Sequence, residues 1–243
     1  MHDPVEFANS KRNLWVEPTA AGQAADCVVF LDGELYRERV KSPKVIRGLQ
    51  SARKLPPFTS VYVSAVDAAV RHVELTCSTA FSQALAGELQ PWIEENVCRH
   101  TRYFLCGLSL SGLAAAFAAL AHPDVFCGAL CQSPSAWWND EWLAGHLPRN
   151  SSGTGRFRIS VGDQELDAGI THPPSGLLQK VSQRDSCRKL FEKLGEHAAE
   201  VCFSEFEGGH DCTCWARELP GALSWLLDRS AESTGDEVLA FYV

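Results

Sequence analysis

The chain has 243 residues, 45% of them hydrophobic and 21% charged, with a formal net charge of −8. A length of this order suits one α/β domain able to bury roughly 70–75% of its unfolded surface. No apolar run approaches the roughly 18 residues of a membrane span, and an acidic balance without a basic stripe excludes a general binder of nucleic acid or anionic membrane.

Met1-His2-Asp3-Pro4-Val5-Glu6 is acidic and lacks the apolar core of a signal peptide, so a cytoplasmic location is expected. The ten cysteines are read as free thiols, because Cys106, Cys127, Cys131 and Cys202 lie in apolar runs where a reduced thiol behaves as a small hydrophobe. Residues 13–17 alternate like a short strand. Residues 27–31 form a continuous apolar run of the kind buried on both faces of a parallel sheet. That run ends in Asp32-Gly33-Glu34, which is a plain turn unless a nucleophile lies downstream; in that case Gly33 and Glu34 belong to the loop that lends an oxyanion one backbone N–H. Val45, Ile46, Leu49 and Ala52 have helical spacing over 44–54, and Pro56-Pro57 stops this helix before a strand at 59–65, completing a βαβ unit. Arg71 and Glu74 are expected on a loop near the carboxyl edge of the sheet, where open α/β folds bind ligands. A helix over 80–97, interrupted at Pro91, follows.

The chain is organised around the next stretch. Gly107-Leu108-Ser109-Leu110-Ser111-Gly112 lies between the apolar run Tyr103-Phe104-Leu105-Cys106 and an alanine-rich helix former, which reads as strand, sharp turn, helix. A serine held at such a turn needs small residues two positions to either side. Gly107 and Ser111 meet that need for Ser109, whereas Ser111 is flanked by Ser109 and Leu113. Ser109 is therefore the nucleophile candidate, with a helix-capping serine as the alternative.

A strand at 125–131 then leads into a loop carrying Trp137 and Trp138, a pair that suits the wall of an aromatic or apolar pocket better than a core. A strand at 157–161 precedes three acids, Asp163, Glu165 and Asp167, and an irregular stretch over 168–183 suggests a flap. A helix at 187–194, a last strand at 199–206 and a final helix over 214–227 complete the pattern. Between the last two stands Gly208-Gly209-His210-Asp211. Of the eight histidines, His210 alone follows a terminal strand through paired glycines. Cys212 and Cys214 beside it lack the spacing and the second pair of a zinc site, so neither a metal nor a cofactor is expected.

Serine, acid and histidine in this order match an α/β-hydrolase triad. Ser109 would attack an ester, His210 would take its proton and later protonate the leaving alcohol, and the acid would fix the imidazole tautomer. Glu165, three residues past the strand-ending Gly162, is the preferred acid, with Asp163 and Asp167 as rivals and a serine–histidine dyad without a strong acid as a further alternative. The Leu110 N–H and one from Gly33-Glu34 would hold the oxyanion.

Taken together, Leu31-Asp32-Gly33-Glu34, Arg71-His72-Val73-Glu74-Leu75, Gly107-Leu108-Ser109, Gln132-Ser133 with Trp137-Trp138, and Gly208-Gly209-His210-Asp211 with Cys214-Trp215 resemble the enterochelin (enterobactin) esterases of the esterase D group. The likeness runs from about residue 28 to residue 227. It implies an α/β-hydrolase fold with a mostly parallel sheet and helices on both faces, as a single catalytic domain over 1–243. It also implies hydrolysis of the trilactone ester bonds of a catecholate siderophore such as enterobactin, often iron-loaded, with release of the iron in the cytoplasm. Against that pattern the chain is expected to lack the amino-terminal domain of the cytoplasmic ferric-enterobactin esterases, Ser111 replaces the usual elbow glycine, and the 168–183 stretch is longer.

For such a substrate, Trp137, Trp138 and Trp215 would wall an aromatic pocket, Arg71 would face the ligand's negative charge, and Glu74 would hold Arg71 in place. Two other classes compete. A general carboxylesterase or thioesterase, of S-formylglutathione or aryl ester type, would share the triad without needing the tryptophans and Arg71 together. A non-catalytic binding protein on a hydrolase scaffold would usually have lost Ser109 or His210. The expected partner is a small-molecule ester, with no nucleic acid and no membrane.

Overall fold

The computed structural model describes residues 5–17, 26–147, 155–173, 175–198 and 200–229. Its centre is a seven-stranded sheet of β1 (Leu14–Glu17), β2 (Asp26–Phe30), β3 (Phe58–Val63), β4 (Arg102–Leu108), β5 (Gly128–Gln132), β6 (Arg156–Gly162) and β7 (Glu200–Phe206). The spatial order is β7-β6-β5-β4-β2-β3-β1. Only the edge pair β1 and β3 is antiparallel; every other neighbouring pair is parallel.

Strands β2, β3, β4 and β5 are buried along their whole length, which is why they read as unbroken apolar runs. Alternation still decides which face each side chain serves. Cys27, Val29, Leu31 and Leu105 pack into one core with α5 (Leu110–Ala121) and α7 (Gln183–Leu194), while Val28, Phe30, Phe104 and Cys106 pack into the other. That second core takes Ile46 from α1 (Ser42–Ser51) and Leu219, Leu223 and Leu226 from α8 (Cys212–Leu226). Among the described residues no helix is long and apolar enough to cross a membrane.

Four segments differ from the sequence expectations. Arg71 and Glu74 lie not on a loop but on the helix α2 (Ala68–Leu75), started by the Asp67 carboxylate, which accepts the Val70 N–H at 2.8 Å. Leu75 is the one buried residue of this helix, so it has no apolar stripe to betray it. The 80–97 helix is three pieces, α3 (Thr79–Ala84), a π-helical turn Leu85–Leu89, and α4 (Gln90–Asn96) with Pro91 in its first turn, where the missing N–H costs nothing. Trp138 opens the helix α6 (Trp138–Gly145) instead of ending a loop. The 168–183 stretch contains an antiparallel hairpin, Ile170–His172 with Leu177–Gln179.

A second hairpin, Val5–Phe7 with Ser10–Arg12, had no sequence signal. It inserts Arg12, 2% exposed, against Phe7 and Phe81, donates to the Ser64 carbonyl at 3.1 Å and pairs with Glu74.

Candidate active site

Strand β4 turns into α5 at Ser109, whose backbone sits at φ 55°, ψ −123°. This is a strained conformation for any residue with a Cβ, and such strain persists only where the surroundings enforce it. Here they do. A Cβ added to Gly107 would lie 2.1 Å from the Ser111 carbonyl oxygen, so the turn closes only over glycine.

Ser111 is wholly buried, its hydroxyl accepting the Leu108 N–H at 3.0 Å and donating to the Leu108 carbonyl at 2.7 Å. The serine in place of the usual small elbow residue thus pins the strand end. Ser111→Ala leaves two buried backbone groups without this partner and is expected to cost about 1–3 kcal/mol, read as a Tm lower by several degrees in a thermal melt.

His210 arrives from the loop after β7. Gly208 there has φ 127°, and a Cβ on it would lie 2.3 Å from Cys214 Sγ; a Cβ on Gly162 would lie 2.3 Å from the Gly208 carbonyl oxygen. The loop is pinned by Asp163 Oδ1, which accepts the Gly208 N–H at 2.9 Å, and by Asp211, which caps α8 through the Thr213 and Cys214 N–H groups. His210 Nε2 stands 3.1 Å from Ser109 Oγ, and Nδ1 stands 2.6 Å from Glu165 Oε2. The edge of Trp215 meets the imidazole at a ring separation of 4.9 Å.

The Glu165 side chain is 2% exposed, and its other oxygen, Oε1, accepts the Gly162 N–H at 2.7 Å and the Ser133 hydroxyl at 2.6 Å. A carboxylate so supplied with donors stays an acceptor, which places the imidazole proton on Nδ1 and leaves Nε2 to receive the serine proton. Asp163 and Asp167 are exposed and bond elsewhere: Asp163 to Gly208, and Asp167 through its carbonyl to Gln179.

Above these residues opens a cavity of about 750 Å³, within the range of small-molecule sites. Arg71, Ser109, Leu110, Ser135, Trp137 and His172 are among its walls. Trp137 and His172 stack face to face, 4.8 Å apart and 9° from parallel, and Trp137 Nε1 donates to Gln183 Oε1 at 2.6 Å. The hairpin at 170–179 thereby forms one side of the cavity.

Several residues singled out in the sequence fall outside this wall. Trp138 packs edge-on to Trp142 against the core, and Trp215 is buried, its indole N–H given to Ser133 Oγ at 3.0 Å. Glu74 pairs with Arg12, and the partner of Arg71 is Asp32, which accepts from Nε at 2.7 Å and from Nη2 at 2.6 Å. Arg12 reaches Glu74 from the amino-terminal hairpin, and Asp32 lies at the end of β2 facing α2, so the expected i,i+3 pair of Arg71 and Glu74 gives way to two tertiary pairs.

Gly33 and Glu34 follow β2, whose end pairs with β4 (Phe30 beside Cys106), so they reach the same sheet edge as Ser109, though not the cavity lining. Burial pushes the Glu34 carboxyl up from its ordinary value, and its Oε2 accepts the Ala65 N–H at 3.2 Å. Cys214 Sγ donates to Asp211 Oδ2 at 3.0 Å, and no group of three or more potential metal ligands occurs among the described residues. Sequence reasoning missed Asp32, Ser133, Ser135, His172 and Gln183. Asp32 and Ser133 stood in strings that carry the family resemblance and close to strand ends, but nothing in the sequence gave them these partners.

A mostly parallel sheet covered by helices on both faces, with a serine on a strained strand-to-helix turn facing a histidine and a buried carboxylate, is the α/β-hydrolase fold carrying a serine-hydrolase arrangement. The family described as "Putative esterase" matches residues 7–226, and the chain belongs to that family. It is 28% identical over 222 residues to the iron(III) enterobactin esterase of Escherichia coli strain K12, covering 86% of this chain and 52% of that protein. It is also 28% identical over 245 residues to the iron(III) enterobactin esterase of Dickeya dadantii, covering 96% of this chain and 54% of that protein. Among solved structures, the enterobactin esterase of Shigella flexneri in the presence of enterobactin is similar at a TM-score of 0.74 and 25% identity, over 90% of this chain and 55% of that one. The chain spans about half the length of the curated relatives it matches.

Proposed function

We propose that the chain is a serine esterase that cleaves the trilactone ester bonds of a catecholate siderophore such as enterobactin or its ferric complex. The observation that carries this reading is the hydrogen-bonded line from Ser109 Oγ through His210 to Glu165 at the cavity. Ser109 attacks the ester carbonyl as His210 Nε2 takes its proton. The tetrahedral oxyanion is held by the Leu110 N–H and by one from Gly33-Glu34, each such donor being worth about 2.7–4 kcal/mol. His210 then protonates the departing alcohol, and a water deprotonated by the same nitrogen releases the acyl group from Ser109. Glu165 stabilises the imidazolium throughout.

The substrate class is supported by the named activities of the relatives and by the chemistry of the cavity wall. Trp137 and His172 present flat faces for a catechol ring. Arg71, a quarter exposed and anchored by Asp32, supplies a cation with fixed direction in an acidic protein. All ten cysteines are free and five of them are buried, which suits a reducing compartment and supports action in the cytoplasm.

The test is hydrolysis of a catecholate trilactone and of a nitrophenyl acetate by the purified protein and by its Arg71→Ala variant. Loss of Arg71 is expected to lower kcat/KM on the trilactone about tenfold more than on the neutral ester, the worth of one charge-assisted hydrogen bond. Equal losses assign Arg71 to structure through Asp32. No cleavage of any catecholate ester moves the function to a general carboxylesterase.

A further inference from the structure

Both ends of the Ser109–His210–Glu165 line are touched by one turn, Ser133-Pro134-Ser135, which follows β5. Ser135 Oγ lies 3.3 Å from Ser109 Oγ, and Ser133 Oγ lies 2.6 Å from Glu165 Oε1. Resting on the serine-esterase reading above, we propose that Ser135 is a further catalytic residue and that Ser133 is a positioning residue for the acid, the turn setting the register between nucleophile and carboxylate.

The turn is built as a fixed part. Ser133 is wholly buried at φ 44°, a conformation that a residue with a Cβ adopts only under constraint. Its N–H donates to the Ser160 carbonyl at 2.6 Å, and the Ser135 N–H donates to the Ser109 carbonyl at 2.9 Å, so the turn is stitched to β6 on one side and to the elbow on the other. Gln183 Nε2 donates to the carbonyls of Ser133, at 2.6 Å, and of Pro134. Such a frame holds two hydroxyls at set distances from two reacting partners, which mobile side chains on separate loops could not do.

The donor directions follow from the partners. Trp215 Nε1 can only donate, so Ser133 Oγ accepts from it at 3.0 Å and must spend its own proton on Glu165 Oε1. The Trp215 carbonyl is held in turn by Gln132 Nε2 at 3.0 Å. Ser133 therefore takes up Oε1 together with the Gly162 N–H and leaves Oε2 for His210.

At the other end, Ser109 gives its proton to His210 Nε2, so Ser135 is the donor to Ser109 Oγ. Negative charge gathers on that oxygen twice, when it attacks the ester and when it departs from the acyl-enzyme. The Ser135 hydroxyl steadies it both times and keeps its own proton, and the serine proton passes only to and from His210.

The experiment measures kcat and KM on nitrophenyl acetate, whose cleavage does not depend on the siderophore reading, for Ser135→Ala, Ser135→Thr, Ser133→Ala, Glu165→Gln and the Ser133→Ala/Glu165→Gln pair, with Ser109→Ala as control and a thermal melt of each. Ser135→Ala is expected to lower kcat about tenfold at unchanged KM and melt, and Ser135→Thr to restore most of it. Ser133→Ala is expected to lower kcat about tenfold alone and less than twofold in the Glu165→Gln background, because it acts through that carboxylate. The proposal is overturned if Ser135→Ala stays within twofold of the parent, if Ser135→Thr is as slow as alanine with an unchanged melt, or if the Ser133→Ala loss is the same in both backgrounds. An active Ser109→Ala control would instead remove the serine-esterase reading itself and the proposal with it.

Discussion

Replacing Ser109 by alanine is expected to lower kcat on any ester the protein cleaves by about 10⁴–10⁶-fold, the cost of removing a nucleophile whose base is left with nothing to activate. Stability should hardly move. Alanine carries the same Cβ into the same φ of 55°, so the backbone strain is unchanged, and the lost hydroxyl had only the cavity-side partners His210 and Ser135. A thermal melt within about 2 °C of the parent, together with loss of fluorophosphonate labelling, is the combined result to look for. Near-normal turnover in this variant would sink the assignment. So would labelling at Ser111, whose hydroxyl is committed to both backbone groups of Leu108 and is fully buried.

Glu165→Gln is expected to cost about 10²–10⁴ in kcat, although the side chain keeps its shape. The carboxylate serves three donors: the Gly162 N–H and Ser133 hydroxyl on Oε1, and His210 Nδ1 on Oε2. An amide has one oxygen to offer. The Gly162 N–H cannot reverse its direction, so the glutamine oxygen settles on that side and turns its NH₂ toward His210 Nδ1. Nδ1 must then accept, the imidazole proton moves to Nε2, and the nitrogen facing Ser109 can no longer act as base.

Asp163→Asn keeps a carbonyl oxygen for the Gly208 N–H, and Asp167 uses its main chain, so each is expected to change kcat by less than about threefold. Kinetics of the three variants side by side decide the point. A larger loss in either aspartate variant than in Glu165→Gln would transfer the role of the acid.

Ser109 and His210, which the structure joins with Glu165 in one hydrogen-bonded line, were each singled out by a few neighbouring residues, whereas Glu165 was one of three acids between which the neighbouring sequence left the choice open. Gly107 and Ser111 announce the elbow because a tight turn admits only small residues at those two positions, and Gly208 announces the loop after β7 because its φ of 127° and the closeness of Cys214 Sγ leave no place for a Cβ. The strands were legible because burial on both faces leaves no place for polar residues. Helix α2 was not, since it lies on the rim with one buried residue and its start rests on a single Asp67 cap. Neither was the division between Trp137 and Trp138. Both are apolar and adjacent, and it takes the onset of α6 to send one to the cavity and the other to Trp142.

The sequence by itself determined what depends on short stretches of chain: the parallel sheet, the strained serine turn, and the order in which the serine, the acids and the histidine follow strand ends. The tertiary structure alone decided which charges meet. Arg71 goes to Asp32, 39 residues away, and Arg12 to Glu74, 62 residues away, where adjacency on the chain had suggested Arg71 with Glu74. It also decided that Ser133 and Ser135 touch the two ends of the Ser109–His210–Glu165 line. Sterics and hydrophobic periodicity act between near neighbours and are therefore written in the local string. A hydrogen-bond or ion-pair partner is chosen by proximity in space and by the need to satisfy every buried polar group, and that choice exists only once the strands and helices have packed.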